Sequence, residues 1–113
     1  MYLSSVLVLY NGLYFAREMH MRVLSQEEIQ KSLAALEGWN ETPDGIRKHY
    51  ELADFRSVMN FVNRVADLAE GANHHPDILI NYDRVTFTLI THDVGGITEK
   101  DIDLASRIEA ISP

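Results

Sequence analysis

Between Phe55 and Ala69 the apolar residues recur at helical spacing, and on either side of that stretch the apolar period drops to two. A chain that switches period in this way can bury its apolar groups by laying an amphipathic helix over a sheet made from the flanking hairpins. Phe55, Val58, Met59, Val62, Val65, Ala66 and Ala69 form a face wide enough for that, with Phe55 expected in the core. Asp54 is placed to cap the start of this helix and Gly71 to end it. Upstream, Ile46, Lys48, Tyr50 and Leu52 alternate with Arg47, His49 and Glu51, which reads as a strand. A Pro43-Asp44-Gly45 turn joins it to a short strand over Trp39 to Glu41, with Trp39 in the core. Downstream, Ile78, Ile80 and Tyr82 make a third strand and Asp83-Arg84 a tight turn. Val85, Phe87 and Leu89 make a fourth strand that reaches about His92.

Two outer helices complete the pattern. Ser25 and Glu28 form a capping box, Leu24 and Ile29 a hydrophobic staple, and Ile29, Leu33 and Leu36 one apolar stripe. The spacing predicts a helix over Gln26 to Glu37, stopped by Gly38. Thr98 and Asp101 repeat the capping pair ahead of Ile102, Ala105, Ile108 and Ile111. The order is α-β-β-α-β-β-α. It implies an α+β fold: a four-stranded antiparallel sheet with three helices packed on one face.

A chain of 113 residues fits one domain, here residues 22–113. Residues 1–21 read differently. Met1 to Phe15 is apolar and aromatic, with no Lys or Arg ahead of the apolar run, so it makes a poor secretory signal and is too short and interrupted to span a bilayer. With Met19 and Met21 just ahead of the first helix, this stretch is expected to be an N-terminal extension from an upstream start, the alternative being an extra strand or arm.

The formal net charge is −7 and no cluster of Lys and Arg exists, which argues against direct nucleic-acid binding and against an anionic membrane surface. The chain has no cysteine, which removes thiol nucleophiles, disulfides and cysteine-bound metals. It suits a reducing compartment, and a cytoplasmic location is expected. No serine sits in a nucleophile elbow, and no glycine loop is built to cradle phosphate.

Histidine is what remains for chemistry. His74, His75 and His92 fall near the ends of elements that a small sheet can bring together, and imidazole is well matched to proton transfer near neutral pH. Adjacent His74 and His75 point opposite ways in an extended stretch, since Pro76 restrains His75. Taken singly, each has a plainer reading: a solvated helix exit for His74 and His75, a surface strand residue for His92. His49 reads as a solvent-facing strand residue. Glu70 sits in the last turn of its helix, poorly placed against the dipole. The spacing does not suit zinc, because neighbouring His74 and His75 diverge and no clear Asp/Glu partner beyond Glu70 and Asp77 completes a set. Metal-free acid–base chemistry, with no cofactor, is expected.

Several spacings agree together. Glu70, three residues, His74-His75-Pro76, five residues, Tyr82, nine residues, His92, eight residues, Asp101 resembles the signature of the pterin-4a-carbinolamine dehydratase family. Gly38-Trp39-Asn40, Asp54-Phe55 and Leu104 to Glu109 are similar to that family too. The resemblance runs from about Leu24 to Ile111 and implies the same element order. It implies dehydration of a 4a-hydroxytetrahydropterin to the quinonoid dihydropterin, the step that recycles the cofactor of aromatic amino acid hydroxylases. The implied catalytic set is His74, His75 and His92, with Glu70 orienting a histidine and Pro76, Asp77 and Thr91 supporting the site. Asp101 is accounted for by its capping role. The implied partners are the pterin substrate and further copies of the chain, as homodimer or homotetramer. Two other readings go with this family: a dimerisation partner of a homeodomain transcription factor, and a pterin-handling role in molybdopterin metabolism.

Overall fold

The computed structural model describes residues 22–113, so the expectations for residues 1–21 lie outside the described residues. Helix α1 covers Gln26–Leu33, strands β1 and β2 Asn40–Thr42 and Gly45–Glu51, and helix α2 Phe55–Ala72. Strands β3 and β4 cover Asp77–Asn81 and Arg84–Leu89, and helix α3 Glu99–Ile111. The four strands form one antiparallel sheet in the order β1-β2-β4-β3, with the α-β-β-α-β-β-α order and the helices as expected.

Register explains which face is buried. Ile46 pairs with Leu89, Tyr50 with Val85, and Lys48 with Phe87. Ile46, Val85, Phe87 and Leu89 are fully buried, and α2 lays Val58, Phe61 and Val65 over them. Tyr50, Phe61 and Phe87 meet edge to face, with ring centroids 5.0 to 5.9 Å apart, the arrangement aromatic quadrupoles favour.

Several boundaries differ from the sequence reading. Helix α1 ends at Leu33, not Glu37. Beyond it the backbone tightens to three-residue hydrogen bonds, Leu36 N–H to Leu33 and Trp39 N–H to Leu36, which deliver Leu36 and Trp39 to the core. Helix α2 passes Gly71 and ends at Ala72, because Asn73 takes the left-handed cap conformation at φ 51. Phe55 is 49% exposed and not in the core. The wide apolar face of α2 is two adjacent stripes. Val58, Phe61, Val65 and Ala69 are buried, and Phe55 begins the other, of which Val62 still packs against the core. The β3–β4 turn is Tyr82-Asp83, with Tyr82 at φ 53 and 70% exposed, one residue earlier than expected. Strand β4 stops at Leu89, because Thr91 turns back to bridge Gly96 and closes a loop that carries His92.

Gly45 is required by the β1–β2 turn. It sits at φ 138, and a Cβ there would lie 2.2 Å from the carbonyl oxygen of Leu89 on the neighbouring strand.

At the far end of α3, Glu109 gathers donors from three places. Lys48 Nζ lies 2.8 Å away, the Tyr50 hydroxyl 2.6 Å, and the Trp39 indole N–H 3.3 Å. Burial works against ionising Glu109, but the hydrogen bonds from Lys48 and Tyr50 outweigh it and hold its carboxyl below the usual range. Burial, then the Glu109 acceptor, push the Tyr50 phenol well up, so it remains a donor. A depressed carboxyl pKa adds stability above its unfolded value, and that stability is lost as pH falls through the folded value. Glu109→Gln is therefore expected to cost about 1–2 kcal/mol at pH 7 and progressively less below the ordinary carboxylate range. Urea midpoints at neutral and acid pH check it. A penalty that is the same at both would remove the ionised carboxylate from the account.

Candidate active site

The site begins where α2 stops. Once Asn73 has turned through its left-handed cap, the His74 N–H closes back on the Ala69 carbonyl at 3.1 Å. That swings the His74 ring inward, where it is about nine-tenths buried. Its Nε2 lies 2.6 Å from Oδ1 of Asp101. Asp101 is fully buried in the first turn of α3, and its other oxygen accepts the Thr98 backbone N–H at 2.9 Å, which completes the capping box. The same oxygen accepts from the Thr91 hydroxyl at 2.7 Å, and Thr91 in turn meets the Thr98 hydroxyl at 2.8 Å.

The direction of these bonds follows from their members. A carboxylate only accepts, so Thr91 donates to Asp101, Thr98 donates to Thr91, and His74 Nε2 carries a proton toward Oδ1. Nδ1 of His74 is then the nitrogen left for other work. One carboxylate thus ties together the exit of α2, the loop after β4 and the start of α3.

His75 points the other way, as the alternation predicts. It is exposed and holds Glu70 Oε2 at 2.6 Å from its Nε2. That contact gives Glu70 a partner at a helix end whose dipole otherwise disfavours it. Pro76 is half-buried, and Asp77 opens β3 opposite Thr88. His92 is exposed on the loop that Thr91 and Gly96 close, one residue beyond the Thr91 hydroxyl bound to Asp101. His49 is exposed as expected, with Nδ1 2.6 Å from the Thr86 hydroxyl.

A cleft of about 360 Å³ opens beside His74, between α2 and α3. Asp67, Leu68, Gly71 and Ala72 line it from α2, and Lys100, Asp103 and Arg107 from α3. That volume suits a small organic molecule. Of the three expected catalytic histidines, His74 lines the cleft, while His75 and His92 do not. The sequence reading undervalued Asp101, since capping explains only one of its bonds. The available signal was its fixed distance from His92.

The profile described as pterin 4 alpha carbinolamine dehydratase matches residues 22–111. The chain belongs to this family. A protein of Koribacter versatilis with the provisional name pterin-4-alpha-carbinolamine dehydratase is 48% identical over 92 residues, which is 81% of this chain and 98% of that one. A Roseiflexus protein with the same provisional name is 50% identical over 88 residues, 78% of this chain and 95% of that one. A crystal structure of a transcriptional coactivator/pterin dehydratase from Brucella melitensis superposes with a TM-score of 0.78 at 34% identity, covering 81% of this chain and all of that one. A pterin dehydratase-like protein described as a RuBisCO assembly factor in the alpha-carboxysome shares the fold, with a TM-score of 0.53 at 22% identity over 64% of this chain and 83% of that one. Among the described residues, no helix is long and apolar enough to cross a membrane.

Proposed function

We propose that this chain removes water from a 4a-hydroxytetrahydropterin to give the quinonoid dihydropterin, by imidazole acid–base chemistry centred on His74. The reaction protonates the 4a-hydroxyl, breaks the C4a–O bond to release water, and takes the proton from N5 as the C4a–N5 double bond forms. One imidazolium and one neutral imidazole balance it without an oxidant or reductant. The observation that carries the reading is the buried 2.6 Å His74–Asp101 bond beside a cleft. It fixes the ring and leaves Nδ1 as the proton carrier. His92 is the second proton carrier, on the loop tethered to the same carboxylate through Thr91. His75, oriented by Glu70, helps bind the pterin and shares in proton transfer. Pro76 and Asp77 hold the loop that presents both histidines, and Thr91 steadies the one that presents His92.

The physiological setting is the recycling of an aromatic amino acid hydroxylase's tetrahydropterin, in the cytoplasm. Edge strand β3, with Ile78 and Leu79 exposed, supports self-association, and light scattering reads the resulting size. The deciding experiment supplies purified protein with freshly made 4a-hydroxytetrahydropterin and follows quinonoid dihydropterin by absorbance, with and without chelator. Acceleration over the uncatalysed rate, unchanged by chelator, is expected. A rate equal to the blank would end the reading.

A further inference from the structure

Strand β3 lies at an edge of the sheet, and parity tells which of its backbone groups are already bonded. The two-residue turn Tyr82-Asp83 closes on Asn81 and Arg84, and a turn of that length makes the flanking residues a hydrogen-bonded pair. Bonded pairs recur at every second residue, so Asn81, Leu79 and Asp77 give their N–H and C=O groups to β4. The Asp83 carbonyl goes the other way, to the Leu52 N–H at 2.8 Å, as the same parity requires. Ile78 and Ile80 therefore aim their backbone groups off the open edge. Ile78 and Leu79 are exposed along it. At its end stands Tyr82, exposed and at φ 53, a hairpin-tip conformation that glycine or asparagine adopts with less strain.

The occupant that fits this edge is a second copy of the chain. Two β3 strands related by a two-fold axis run antiparallel. The outward groups of Ile78 and Ile80 then face one another only with the axis at Ile78, Leu79 or Ile80. An axis at Ile80 sets Asp77 against the partner's Asp83, two like charges. An axis at Ile78 sets Ile80 against the partner's Pro76, which has no N–H to give. An axis at Leu79 bonds Ile78 to the partner's Ile80 through both groups, and the symmetry repeats it. It also packs Leu79 on the partner's Leu79 at the close spacing of a non-hydrogen-bonded pair, and offers Asp77 the amide of the partner's Asn81. Three residues from the axis, the partner's Tyr82 stands opposite Pro76 and beside His75.

We propose that each active site is completed by a second copy of this chain, whose Tyr82 packs on Pro76 and walls the open side of His75. Tyr82 is a positioning residue that acts in trans. Glu70 holds the His75 ring from within its own chain, and the partner's Tyr82 closes the side that is otherwise solvent. A bulky residue kept in a strained, exposed turn is what such a contact leaves in a sequence. The proposal rests on the dehydratase reading for what the site does, and not for the contact itself.

Tyr82→Ala is expected to lower kcat/KM for dehydration about ten- to a hundredfold, and Tyr82→Phe to keep it, since the ring does the packing. Subunit mixing shows whether the effect is in trans. His74→Ala retains Tyr82 but lacks the proton carrier. Mixed in equal amounts with Tyr82→Ala and left to exchange, about half of the dimers become mixed. Each mixed dimer holds one complete site, so activity is expected to return to about a quarter of the parent's. A mixture no more active than the mean of the two variants alone would overturn the assignment. Leu79→Lys sets like charges across the axis, and is expected to give a monomer by light scattering that loses as much activity as Tyr82→Ala. A monomer with parental kcat/KM would equally sink it. The contact has its own readout: isotope-filtered NOEs between labelled and unlabelled chains, from the Tyr82 ring of one to Pro76 of the other. Their absence would end this proposal. Their presence in a chain that does not dehydrate would end the dehydratase reading and keep the contact.

Discussion

Asp101→Asn is expected to lower kcat for the proposed dehydration by about 10²–10⁴-fold and to leave the element order intact. The size follows from the tautomer. In the parent, an acceptor-only carboxylate faces His74 Nε2 at 2.6 Å, so the ring proton stays there and Nδ1 is free. An asparagine keeps the shape but must also accept from Thr98 N–H and Thr91, which occupies its single carbonyl oxygen. Its NH2 then faces His74 and demands the lone pair of Nε2. The proton moves to Nδ1, the nitrogen meant to receive one. In a catalytic triad, the same carboxylate-to-amide change at the group behind a histidine lowers kcat about 10⁴-fold through the wrong tautomer. Asp101→Ala carries a second penalty. It strands the Thr98 N–H, the Thr91 hydroxyl and the His74 N–H in a fully buried place, and roughly 3 kcal/mol of stability goes with them. Imidazole nitrogen shifts by NMR give the tautomer of the Asn variant, and urea unfolding separates the two variants. An Asn variant with normal kcat, or with Nε2 still protonated, would remove Asp101 from its positioning role.

That the carboxylate does two things at once shows how far the sequence could be read. The capping box at Thr98 and Asp101 was legible because its chemistry is local: three residues, one helix start. So were both hairpins and the apolar face of α2, since period and turn residues are local as well. The bond from Asp101 to His74 joins residues 27 apart in sequence and depends on how α3 docks against the end of α2. No local pattern encodes that, and only the resemblance's spacing hinted at it. Phe55 failed for a related reason. Its spacing put it on an apolar stripe, but tertiary packing decides which stripe is buried, and Phe55 is left exposed. The alternation at His74 and His75 succeeded because it needed only the backbone: one ring in, one out. The cleft lay beyond reach, since its lining comes from two helices that meet through tertiary packing.

The second large effect separates the two proton carriers. His74→Ala and His92→Ala are each expected to lower kcat about 10²–10⁴-fold, the range for losing a positioned general acid or base. The two differ elsewhere. His74→Ala leaves the buried Asp101 carboxylate one donor short and lowers stability by about 1–3 kcal/mol. His92 is exposed, so its removal changes the unfolding midpoint little. Acid and base act in one step, the acid giving its proton to the departing hydroxyl and the base taking one from N5. Losing both should therefore cost little more than losing the worse of the two, as in other catalytic sets that work as a unit. The measurement is a double-mutant cycle on single-turnover dehydration, with unfolding followed in parallel. Multiplicative losses would mean that the two histidines serve separate steps. A His92→Ala variant at near-normal rate would remove His92 from the scheme and leave the second proton to His75 or solvent.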